Sequence, residues 1–195
     1  MVVTNWIARV RRSWAEFVGP EATRTNNILT LAAGAAGLLG PARVARRKGA
    51  GPSATALVSM LGADLAGGAY VNNTKACARW YERPGQEAKH HLRFAALHIH
   101  PAVIAYLDSN VERQPNAVRW ALTHYTYMML STWAIRNVPE HRRSLGVTLT
   151  AGGLLLDRAL GPSEVAPWFA WTYYPKLLLG HAATALWRER DLDTE

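Results

Sequence analysis

Lys89–Leu107, KHHLRFAALHIHPAVIAYL, carries four of the chain's seven histidines in a largely apolar run, and its reading decides the fold. Taken as a helix, the stretch places His91 and His98 seven residues apart and almost on one face. His100 points elsewhere, about 200° around the wheel from His98. Pro101 removes a backbone donor and strains the turn before it, so a kink there would bring the two imidazoles toward one cavity. The plainer alternative is a histidine bonded to a carbonyl of a neighbouring helix, with its companion near a polar end. A histidine pair without recognised ligand spacing is a weak metal signal.

Working outward, the 195 residues suffice for one domain with a core, and no repeat or low-complexity segment divides them. Hydrophobic residues make up 49% of the chain and Trp occurs eight times, while charged residues fall to 18%, below the ~25% usual in soluble domains. That balance favours a membrane. The mean hydropathy of −0.08 pulls the other way and keeps a soluble helical bundle as the rival. The single Cys77 excludes an intramolecular disulfide and a cysteine zinc site. A net charge of +8 suits nucleic acid or an anionic membrane surface. No nucleic acid partner is expected, because the basic residues fall in short clusters between apolar runs and not along one face interleaved with aromatics. The first residues lack the apolar run and cleavage site of a signal peptide.

Residues 2–18 put Val3, Trp6, Ile7, Val10, Trp14, Phe17 and Val18 on one helical face, with Arg9, Arg12 and Glu16 mostly opposite. A helix lying in the headgroup plane needs this pattern, and a helix packed on a soluble core would also satisfy it. Six apolar segments follow, at 27–45, 53–71, 92–107, 117–135, 145–160 and 165–187. Several are short against the ~20 residues of a spanning helix. The last reads best, with Trp168 and Trp187 at its ends and Lys176 as its one charge. Trp80, Tyr81, Trp120 and Trp133 also sit at segment edges. If all six span, one side carries twice the Lys and Arg of the other, which predicts cytoplasmic termini. Arg43, Arg46, Arg47 and Lys48 in the first loop break the rule, and a shallow hairpin there leaves five spans. Small residues recur every fourth position at Ala32, Ala36 and Gly40, and Asp64, Gly68 and Asn72 share that spacing, the pattern of close helix packing in lipid.

Ionisable residues inside these segments are Asp64, His98, His100, His124, Asp157, Lys176 and His181. Each charge near a bilayer centre costs about 2.5–3.5 kcal/mol on insertion scales, so such residues face the bundle interior and have partners or tasks. Asp157, beside Arg158 and near a segment end, reads as interfacial and is set aside. Lys176 can pair with Asp64, contact Tyr173 or snorkel. His124 shares a face with Trp120, Tyr127 and Ser131, which either lines a ligand cavity or bonds across helices.

His98, His100, His124 and His181 together with Asp64 supply enough ligands for one transition-metal ion, zinc or iron. A metal hydroxide beside lipid would cleave an ester or amide, although no HxxxH, HExxH or HxxHH box occurs. Two histidines from facing helices would also suit haem. The same histidines with Asp64 and Lys176 make a proton or ion relay in a small transporter, since imidazole titrates near neutral pH. A retinal Schiff base at Lys176 is disfavoured by the span count and the want of a clear counterion. The expectation is an all-α, polytopic membrane helix bundle of five or six transmembrane helices, one domain throughout. It comprises an amphipathic interfacial helix (1–20), the bundle (27–187) and a charged tail (188–195), in the cell inner membrane. The leading functional expectation is a metal-dependent enzyme acting on a lipid-like small molecule. Asp64, His124, Tyr127 and Lys176 would be its catalytic groups, and His98, His100, His124, His181 and Asp64 its metal ligands. The alternatives are the proton- or ion-coupled transporter and an accessory subunit of a larger membrane complex.

Overall fold

A computed structural model describes residues 2–111 and 116–192, and among these every regular element is helical. In order they are α1 (Val2–Val18), α2 (Arg24–Arg47), α3 (Pro52–Val71), α4 (Lys75–Tyr81), α5 (Ala88–Ala96), α6 (His100–Val111), α7 (Ala117–Asn137), α8 (Arg142–Leu160), α9 (Phe169–Tyr174) and α10 (Glu189–Leu192). A π-helical segment, Pro175–Ala182, continues α9. Local chemistry sets the boundaries. Thr23 and Asn26 form a reciprocal capping box before α2, Pro52 opens α3 where its missing N–H costs nothing, and Thr74 caps α4. Val3 of the expected apolar face and the last three residues of the charged tail lie outside the described residues.

Two helices, α2 and α3, are long and apolar enough to cross a membrane. They pack against each other as an antiparallel hairpin with their backbones close together. A Cβ on Gly37 would overlap the Gly62 carbonyl, and one on Gly62 would overlap the Gly37 carbonyl. The contact face of α2 is therefore Thr30, Gly37, Pro41 and Ala45, all buried. The stripe expected to serve there, Ala32, Ala36 and Gly40, is turned outward, and Gly40 has nothing within 4 Å. Spacing alone does not tell which of several small-residue rows meets the partner. The second row fares differently: Gly68 lies against the Lys176 chain and Asn72 against Gly180, so it seats the π segment.

Two apolar segments are not single helices. The run 92–107 breaks at Leu97–Ile99, between α5 and α6, just ahead of Pro101. The run 165–187, expected to be the best span, forms six residues of α9 and eight of π-helix and then turns. Pro175 cannot donate to the preceding turn, and the ladder widens there instead of continuing as α-helix. Freed carbonyls find side chains: Asn73 Nδ2 donates to Pro175 O at 3.0 Å and Asn72 Nδ2 to Lys176 O at 3.1 Å. At the other end of the chain, α1 is tied down only by its last turns. Trp14 Nε1 donates to Asn27, Val18 is buried, and Gly19, at φ 87°, sits directly on the Ala76 backbone. Trp6, Ile7 and Val10 stay exposed, so the apolar face of α1 is not consumed by packing on the bundle.

Replacing Gly62 by Ala is expected to lower stability by about 1–3 kcal/mol or more, because rigid backbone blocks the new methyl group. Gly40→Ala, with open space, should be neutral or stabilising by up to ~1 kcal/mol. Thermal unfolding in detergent of the two variants checks the assignment of the contact face.

Candidate functional site

The break between α5 and α6 places four imidazoles differently from a straight helix. His98, in the break, bonds the Phe94 carbonyl through Nδ1 at 2.7 Å, and Tyr173 Oη donates to the His98 carbonyl at 3.1 Å. His100 opens α6 and stacks on His98 with ring centroids 5.3 Å apart. Its Nε2 lies 3.0 Å from Asp64 Oδ2, the same oxygen that receives Lys176 Nζ at 2.6 Å. Lys176 is 2% exposed and its stem fills the space that Gly68 leaves. The Asp64 side chain is 44% exposed, so this charged cluster opens at the flank of α3 about midway along the helix.

A second group of rings lies deeper. His181, on the π segment, is 3% exposed, and neither of its ring nitrogens has a hydrogen-bond partner. Phe94 stacks on it at 3.9 Å, Tyr81 meets it edge-on at 4.2 Å, and His91 lies 4.8 Å away. His91 Nδ1 bonds the His181 carbonyl at 3.2 Å and its Nε2 is unpartnered. Phe94 also touches His98, at 4.5 Å, and so stands between the two groups.

Beyond His91 the polar succession ends on Glu82. Its carboxylate takes Arg136 at 2.8 and 3.3 Å and Arg142 at 2.7 Å, and Arg136 also bonds the Ala182 carbonyl at 3.1 Å. Burial tends to raise the Glu82 carboxyl, but the bond from Arg136 and the charges of Arg136 and Arg142 outweigh it and hold the group below its ordinary range. Nearby Cys77 is inert as a nucleophile, since burial pushes its thiol up to about 12.

His124 belongs to another centre. It is fully buried, with Nδ1 2.6 Å from Tyr174 Oη and Nε2 3.5 Å from Asp157 Oδ1, against the rings of Trp120 and Phe169. Tyr127 is a strut between α7 and α8: its hydroxyl donates to the Leu149 carbonyl at 2.8 Å, over Gly152. Asp64, His98, His100, Lys176 and His181 therefore come together as the sequence suggested, while His124 and Tyr127 do not join them. Among the described residues, no three of His, Cys, Asp and Glu are grouped so as to hold a metal ion. Asp157, set aside as interfacial, is buried, and Glu82, Tyr81 and Tyr174 were not singled out. The ring and ion-pair partners of all four lie many residues away in the chain, so spacing gave no signal.

Compared with protein-family models, curated proteins and solved structures, the chain matches none.

Glu82→Gln should cost on the order of 3 kcal/mol, because it leaves two arginines at a largely buried site without their carboxylate. Since folding lowers this carboxyl, its contribution is complete above the ordinary carboxylate range and is lost as pH falls through the lowered value. The stability gap between wild type and E82Q, measured by thermal unfolding from neutral to acid pH, should accordingly narrow on acidification. A gap that widens would contradict the assignment.

Proposed function

We propose that this chain is an integral membrane protein that moves protons, a small proton- or ion-coupled transporter with Asp64, His100 and Lys176 as its exchange centre. The observation that carries this reading is the succession Asp64, His100, His98, Phe94, His181, His91, Glu82, in which each neighbour is in ring contact, bonded or within electrostatic reach. Imidazoles accept and release protons near neutral pH, and a carboxylate shared by an ammonium and an imidazole can pass a proton between them. Phe94 is the only member that cannot carry a proton. It divides the track into a half open at Asp64 and a half leading to Glu82, and acts as the gate.

The membrane setting draws on the surface as well as on α2 and α3. Large apolar side chains are exposed along α7 (Val118, Leu122, Leu130, Trp133) and at Leu97, Tyr106, Leu155 and Trp171, more than a water-facing bundle needs. With α1 in the headgroup plane, α2, α3, the α5–α6 pair, α7, α8 and the α9–π unit give the five or six crossings. Both termini then lie on the cytoplasmic side of the inner membrane, by the Lys and Arg distribution. The partner of this surface is the bilayer.

One observation favours a second reading, the metal-dependent enzyme. Three imidazole nitrogens of His91 and His181 lack partners in a buried pocket, and neutral imidazole is a good ligand for zinc or iron. Elemental analysis of protein purified without a histidine tag separates the two, because the relay holds no stoichiometric metal.

The purified protein in liposomes loaded with a pH-sensitive dye should carry protons across an imposed pH gradient. Asp64→Asn is expected to reduce that flux at least tenfold, Phe94→Ala to raise it, and His124→Gln to leave it unchanged. Flux that is equal in all four proteins would refute the relay.

A further inference from the structure

Where α7 ends and α8 begins, a cavity of about 640 Å³ opens to the surface. Its wall includes Arg142, Arg143 and Ser144 from the first turn of α8, and Arg188 just before α10. Arginines are badly placed at the positive end of a 19-residue helix. The α8 first turn holds no acidic residue, and His141 makes no side-chain cap. Arg142 is 7% exposed and ion-paired to Glu82 at 2.7 Å and Glu189 at 2.9 Å, yet its Nε has no acceptor. Arg143 spends Nε on the Ala185 carbonyl at 3.0 Å and, among the described residues, has no carboxylate partner; neither has the Arg188 side chain. The acids on the wall are Glu140 and Glu189, and Glu189 is already engaged.

We propose that this cavity binds the phosphate of an anionic glycerophospholipid in the cytoplasmic leaflet. An anion there would meet Arg143, Arg188, the Ser144 hydroxyl and the free amides of α8, which answers the excess positive charge. Immediately next to these residues in the chain the surface turns apolar: Val147, one turn along α8 from Arg143, and Leu186, two residues before Arg188, are both exposed. Charge over exposed aliphatic surface is the complement of a headgroup with its acyl chains. A free phosphate shares the charge but has no use for the apolar part. The proposal rests on the bilayer setting above and not on the relay.

Native mass spectrometry of the full-length protein in neutral detergent tests it, with phosphatidylglycerol, phosphatidylcholine or inorganic phosphate added separately. Phosphatidylglycerol should bind at least tenfold more tightly than phosphatidylcholine, and Arg143→Gln with Arg188→Gln should abolish that preference. Ser144→Glu should also abolish it while leaving thermal stability equal or higher, because an acid suits this helix end, so loss of binding cannot be read as unfolding. Equal affinity for the two lipids, or preference retained in the variants, overturns the proposal. Inorganic phosphate that blocks phosphatidylglycerol binding at comparable concentration overturns the lipid as the source. Failure here with intact proton flux would leave the relay standing, and the reverse result would leave the lipid site standing.

Discussion

The ion pair between Lys176 and Asp64 sets the terms on which the rest of the bundle packs. An ammonium removed from water is costly, and the cost is offset only while a carboxylate stays within bonding distance. Holding Nζ 2.6 Å from Asp64 Oδ2 requires three things of the surrounding chain. Residue 68 must be glycine for the lysine stem to pass, the helix after Pro175 must widen, and the carbonyls so released must be met by Asn72 and Asn73. None of these is useful alone. Together they dock α3 onto the final helical unit and deliver His181 to the deep end of the polar track.

The protein thus keeps two buried polar centres apart. The Asp64 centre is charged, branched and open at one side. The His124 centre is closed and built from neutral partners at its core, with Tyr174 on one ring nitrogen and the Asp157 carboxyl near the other. Tyr173 and Tyr174, adjacent on α9, serve one centre each: the first bonds the His98 carbonyl and the second His124. A shift of α9 would therefore be felt at both, which gives the two centres a shared mechanical element without direct contact.

Much of the architecture was legible because apolar runs and their punctuation are local properties. The runs 27–45, 53–71, 117–135 and 145–160 correspond to α2, α3, α7 and α8 within a few residues. The Asp64–Lys176 pairing was also within reach, since a buried charge demands a counter-charge and few candidates exist. What escaped depends on how helices face each other. Ala32, Ala36 and Gly40 and the true contact row of α2 have the same composition and spacing, and only the position of Gly62 opposite decides between them. Likewise Asp157 looked interfacial beside Arg158, but its side of α8 faces α7 and places it against His124. The run 165–187 failed for a different reason: its hydrophobicity was read correctly, while the geometric effect of one proline within it was underweighted.

The widened stretch Pro175–Ala182 has a consequence for how this protein can change over time. A π turn behaves as an α-helix with a residue inserted, so its length is part of its function in a way that its side chains are not. Lys176 and His181 work from opposite ends of that stretch and depend on the angle between them. Removing one residue between them would restore ordinary helix and swing His181 by about 100°, away from His91 and Tyr81, with every functional side chain still present. Along Leu177–Gly180 the lineage is accordingly freer to exchange residues than to lose one.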